Sequence, residues 1–221
     1  MAATVRRWVR SATAAYRPHG APVTFGVLGI IIGIFAMEVA YTAQTGVPGT
    51  DVFATGLFGV APWVAWPLAP VLHRGLLHVI SSVVGVWLLG TPVERSLERW
   101  QYAGLLVASG YLATGTGAVV LLMLGDRPVA FYGSSGIVYA LGGFSLAFFP
   151  RATDPVGPAE WLAATMGGLA FLTLAVDPFT GVFLQPHWLN GGHLGGFAFG
   201  GAVGLWRRWS GRPSVSGAGG P

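Results

Sequence analysis

The chain has 221 residues, of which only 9% are charged and 53% are hydrophobic, and its mean hydropathy is +0.63. Soluble domains carry about 25% charged residues, so this composition excludes an ordinary soluble domain; the absence of cysteine excludes disulfides, thiol catalysis and cysteine-ligated metals. The net charge of +4 comes from arginines set at the ends and turns of the chain, which argues against nucleic-acid binding and for orientation in a membrane.

In chain order, a basic tail over residues 1–22 precedes a first apolar run, Val23 to Ala43. That run is too long for a signal peptide and lacks a small-residue cleavage motif. It holds one acid, Glu38, for which the sequence offers no partner. The connection from Gln44 to Pro70, with Trp63 and Trp66, reads as an interfacial segment on the outer side. Five further runs follow: Val71 to Leu89, Tyr102 to Leu124, Ser135 to Phe149, Trp161 to Val176 and Gly191 to Trp206. Runs near 20 apolar residues mark membrane helices, so the pattern predicts an all-α polytopic membrane protein with one membrane domain over 23–206. Residues 207–221 form a second tail, disordered past Arg212 by composition. The fourth and fifth runs are short for a full span at about 1.5 Å per residue, as helices that begin inside the membrane beside a site often are. Of the 12 arginines, all but Arg74 and Arg127 fall on one side of this topology. The positive-inside rule therefore puts both termini in the cytoplasm.

Polar residues inside such spans are costly and point to function. Four groups stand out: His73 and His78 with Ser82 on the second run, Glu94 at its end, Ser134 and Ser135 with Tyr139, and His193. In "GSSG", Gly133 and Gly136 bracket the serines where a loop becomes a helix. Backbone N–H groups at a helix start are unsatisfied and carry partial positive charge, so Ser135 there presents a hydroxyl beside a donor suited to an anion. Tyr139, four residues on, shares its face. The competing reading is a capping serine among packing glycines. In the sixth run Gly192, Gly196, Gly200 and Gly204 form a stripe that lets helix backbones touch. His193 lies beside the top of that stripe, and packing against the fourth run brings its imidazole to Ser135 as a base. His78 and Ser82, one turn apart, are expected to donate toward one point, as an oxyanion hole requires. His73 falls about 140° round the helix from His78 and is assigned to support of the outer loop. A metal reading for the two histidines lacks ligands, since His187 falls in a loop and Glu94 is a span away.

In this order and on these runs, the residues resemble the rhomboid family of intramembrane serine proteases, which implies a six-transmembrane-helix bundle and cleavage of transmembrane protein substrates within the lipid bilayer, near its outer surface, with no cofactor and no metal. Residue by residue, the resemblance implies Ser135 as nucleophile, His193 as general base, and Tyr139 stacked on the imidazole. It implies an oxyanion hole from His78 and the Ser135 N–H, and a structural Glu94 that ties the cytoplasmic helix ends. Ser134 is expected to be dispensable for cleavage. A multi-pass location in a bacterial plasma membrane follows from the same resemblance. Two departures are visible. Ser82 stands where the family usually has asparagine, and Trp66 is followed by Pro67 where the family usually has arginine. They open an alternative, a catalytically weak or inactive rhomboid-like protein that binds transmembrane clients. An unrelated transporter or structural membrane protein leaves Ser135, Tyr139, His78 and His193 as coincidences.

Overall fold

The structure is a computed structural model that describes residues 13, 16–53, 67–123, 132–151, 156–180 and 187–210. The expectations for Trp63, Trp66, Arg127, the arginines of the first tail up to Arg10 and the tail past Arg212 lie outside the described residues.

The described residues fold as helices: α1 (Pro22–Thr45), a short α2 (Gly49–Phe53), α3 (Leu76–Ser96), α4 (Arg99–Met123), α5 (Ser135–Phe148), α6 (Pro158–Thr180) and α7 (His187–Trp209). Four of them are long and apolar enough to cross a membrane, within α1, α3, α4 and α6. The fold is thus an all-α polytopic membrane bundle. α5 is shorter, 14 residues and about 21 Å at 1.5 Å per residue. It is also the hub, packed by α3, α4, α6 and α7, and one face after another is buried along it, from Gly136 and Ile137 to Phe144 and Ser145. A helix enclosed by its neighbours need not match the bilayer thickness.

The boundaries of three helices differ from the sequence reading. The second span does not begin at Val71: Ala69–Val71 is a 3-10 turn, and Gly75, at φ +91°, starts α3 only at Leu76. His73 therefore sits before the helix. α3 then continues past Leu89 through Pro92 to Ser96. Proline removes one helical hydrogen bond, here the one owed to the Leu88 carbonyl, and Tyr16 donates its hydroxyl to that carbonyl instead, at 3.4 Å. α6 runs 23 residues, so only the fourth span is short; Pro158 supplies a preorganised first helical residue that opens it early. α7 begins at His187, which is in the helix rather than in a loop.

Glycines set how closely these helices approach. A Cβ on Gly196 would collide with the Gly136 carbonyl of α5, one on Gly200 with the Ala140 carbonyl, and one on Gly204 would lie 2.9 Å from the Phe144 carbonyl. Gly143 answers from α5, facing the Phe197 carbonyl. The top of the stripe turns to α4, where Gly192 faces the Ala113 carbonyl. α5 and α7 thus meet backbone to backbone.

The opposite end is held by Glu94. α1 has no capping side chain of its own at Ala21. The buried Glu94 carboxylate accepts the backbone N–H of Val23 (2.9 Å) and of Thr24 (2.8 Å) and the Thr24 hydroxyl (2.7 Å). Thr24 Oγ1 lies 2.9 Å from the hydroxyl of the fully buried Tyr102 on α4. Nearby, Arg207 of α7 donates to the Ser96 carbonyl at 2.9 Å. One carboxylate thus fills orphan donors at a helix start, where negative charge is favoured. Glu94→Gln turns an amide N–H₂ toward donors and should cost at least about 2 kcal/mol, the range of hydrogen bonds to a charged group. Thermal melting in detergent should fall clearly while activity per folded molecule holds; the reverse pattern overturns the structural role.

Candidate active site

The site is built where the loop before α5 meets α3 and α7. Gly133 has φ +111° and donates its N–H to the Ala69 carbonyl at 2.8 Å. A Cβ there would lie 2.9 Å from His78 Cε1 and Nε2, so glycine both permits the turn and leaves room for the His78 imidazole. The next residue, Ser134, occupies the N-cap position but makes no capping bond. Its hydroxyl lies 3.0 Å from His73 Nε2 instead, wholly buried. His73 Nδ1 lies 2.9 Å from the Val71 carbonyl. Because a carbonyl only accepts, Nδ1 carries the proton, so Nε2 accepts the hydrogen of Ser134. The His73 backbone N–H donates to Glu38 Oε2 at 3.1 Å, which supplies the partner that the sequence did not offer. The other Glu38 oxygen is buried without a hydrogen-bond partner among the described residues.

With Ser134 turned into the protein, Ser135 opens α5 and its hydroxyl faces α7. Ser135 Oγ is 3.0 Å from His193 Nε2. The imidazole is buried, and the Tyr139 ring stacks on it at a centroid distance of 4.2 Å and an interplanar angle of 15°. His193 Nδ1 has no hydrogen-bond partner among the described residues. A pocket of about 30 Å³ adjoins the pair, lined by Ser135, His193, Gly133, Gly136, Tyr132 and Thr114 among others. His78 packs edge-on to His73, ring centroids 4.9 Å apart, and stands against the loop at Gly133. Ser82 is buried on α3, and neither it nor His78 lines the pocket. Glu94 lies at the far end of α3, at the helix-end junction described above.

Chemically, a hydroxyl within reach of an imidazole that accepts its proton is the arrangement of an activated nucleophile. The first N–H groups of α5 have no partner within the helix and lie beside that hydroxyl. The sequence reading singled out Ser134 but not its partner His73, although a buried hydroxyl needs one; Thr173 of α6, 3.1 Å from the Tyr139 hydroxyl, was not considered. The need of a membrane-buried phenol for a hydrogen-bond partner was the available signal for Thr173.

The chain matches the family model of the Rhomboid domain over residues 60–210. It is 28% identical over 144 residues to a rhomboid protease GlpG homolog of Cronobacter sakazakii, covering 59% of this chain and 45% of that protein. It is 26% identical over 203 residues to the rhomboid protease GlpG of Yersinia pestis and of Yersinia pseudotuberculosis, covering 86% of this chain and 64% of each relative. The chain thus spans between about half and just under two thirds of the length of these relatives.

Proposed function

The chain belongs to the rhomboid family, and from that premise we propose that it is an intramembrane serine endopeptidase that cleaves transmembrane protein substrates near the outer membrane surface, with both termini cytoplasmic. The observation that carries this reading is the 3.0 Å contact between Ser135 Oγ and His193 Nε2 under the stacked Tyr139 ring. Ser135 attacks the scissile carbonyl carbon as its proton passes to His193 Nε2. The negative charge that develops on the carbonyl oxygen faces the Ser135 backbone N–H and the His78 imidazole, donors fixed before the charge appears. His193 then gives its proton to the leaving amine, and a water activated by the same imidazole releases the acyl group. Tyr139 keeps the ring in plane, and no cofactor or metal takes part.

A fluorophosphonate probe tests the proposal: it should label the wild type in membranes at Ser135, and labelling should vanish in His193→Ala. Absence of labelling, with no cleavage of transmembrane substrates, overturns it.

Ser82 favours a second reading, the weak or inactive client binder, because the position usually held by asparagine carries a shorter donor without an amide. Losing a full oxyanion donor costs about 10²–10³ in kcat. His78→Ala should reach that range, whereas Ser82→Ala should slow turnover by less than about 10²-fold. Ser82→Asn should raise kcat, and because the position is only 3% exposed, it should also lower the melting temperature. Steady-state kcat of the three variants on one transmembrane substrate decides. An inactive wild type that Ser82→Asn does not rescue favours the client binder.

A further inference from the structure

Tyr139 projects from the central helix with its ring against the His193 imidazole and its hydroxyl pointing to a third helix. That hydroxyl lies 3.1 Å from Thr173 Oγ1 on α6. Thr173 Oγ1 itself donates to the Ala170 carbonyl one turn back, at 2.8 Å. A hydroxyl has a single hydrogen, so between Tyr139 and Thr173 it is Tyr139 that donates. The bond to Ala170 fixes the Thr173 side chain, and the acceptor it offers is stationary. The Tyr139 ring is therefore held at both ends, by its own backbone on α5 and by α6 at its tip.

The surroundings make this link the main route from α6 to the imidazole. α6 packs closely on α5, where a Cβ on Gly167 would collide with the Gly142 carbonyl. It meets α7, which carries His193, only lightly, through contacts such as the tilted Phe171–Phe197 ring pair at 6.0 Å. Along α6, Trp161, Leu162, Leu169, Phe171 and Leu172 face outward, so the helix is an outlying one with a polar contact reaching inward.

We infer that Thr173 is a positioning residue for the general base: its hydroxyl holds Tyr139 flat on His193, and the seating of α6 on α5 thereby sets where the imidazole stands. This rests on the Ser135–His193 reading above. Released from Thr173, the ring slides along the imidazole face, and the base samples orientations that do not meet Ser135 Oγ.

Three variants isolate the link. Thr173→Val removes the acceptor at nearly constant shape, Thr173→Ser retains it, and Tyr139→Phe removes the donor. Thr173→Val should lower kcat on a transmembrane substrate by about 3- to 10-fold, the span commanded by one neutral hydrogen bond, with KM unchanged and the melting temperature only modestly lowered. Thr173→Ser should restore kcat, and the double variant Thr173→Val with Tyr139→Phe should be no slower than Tyr139→Phe alone, because the two act as a unit. A second readout needs no turnover: the His193 Hε1 resonance in detergent micelles, shifted by the ring current of the stacked tyrosine, should move in Thr173→Val and stay in Thr173→Ser. An unmoved resonance in Thr173→Val overturns the inference, as does a kcat loss that Thr173→Ser fails to restore. If the wild type itself neither labels nor cleaves, the protease reading fails, and the resonance alone decides the role of Thr173.

Discussion

Ser135→Ala and His193→Ala should each lower kcat by about 10⁴-fold or more, and the double variant should be little worse than either, because a nucleophile and its base act as one unit. The contact between them is direct, at 3.0 Å. On the proposed dyad, losing His193 removes the base that takes the hydroxyl's proton during attack, and losing Ser135 leaves that base nothing to activate. Ser134→Ala serves as the control from the adjacent residue. Its hydroxyl is committed to His73 Nε2, so removing it should leave most of the turnover and lower stability by about 1–3 kcal/mol, the cost of an unsatisfied buried acceptor. Cleavage of a model transmembrane substrate in detergent, normalised to folded protein, measures all four. Wild-type cleavage by Ser135→Ala would mean that the dyad is misassigned.

The second large effect is expected from a single methyl group. Gly200→Ala puts a Cβ where the Ala140 carbonyl stands. That carbonyl belongs to the most enclosed helix of the bundle, so α5 has nowhere to retreat. Overpacking typically costs 1–3 kcal/mol when side chains can adjust; here the obstacle is main chain, and the expected outcome is separation of α5 from α7, with loss of both folding yield and activity. Gly104→Ala on α4 and Gly168→Ala on α6 provide the contrast, since a Cβ at either meets nothing within 4 Å. These two should be neutral or gain about 0.5–1 kcal/mol, the helical preference of alanine over glycine. Thermal melting of the three purified variants discriminates; a Gly200→Ala protein that melts with the wild type would show that the seam yields.

How much of this was legible in the sequence depends on whether the signal is local. The glycine stripe repeats every four residues, and the loop-to-helix setting of Ser135 is written in its flanking glycines, so both could be read from spacing. The extension of α3 through Pro92 could not, because the donor that meets the freed Leu88 carbonyl, the Tyr16 hydroxyl, lies 72 positions away. Nor could the bond between His73 and Ser134, 61 positions apart, or that between Tyr139 and Thr173, 34 apart. Hydroxyl pairings of this kind leave no periodicity. Glu38 looked unpartnered for a related reason: its partner is a backbone N–H, which every residue but proline possesses and no motif announces. The length of α6 was misjudged because the apolar run was taken as the helix, whereas the polar first turn from Pro158 belongs to it as well.

The backbone seam between α5 and α7 also bears on how this fold can drift over generations. At an ordinary helix contact, a lost methylene is offset by a gained one opposite, and pairs of residues exchange volume through many small steps. Glycine has nothing left to give, and a carbonyl oxygen has no smaller form. At Gly196 and Gly200 each mutational step therefore adds atoms that no change in a facing side chain can absorb, since what they face is main chain. Outward-facing positions such as Leu169 and Leu172 remain open to exchange among apolar residues, while the seam admits a single solution, and the spacing of Ser135 from His193 is inherited with it.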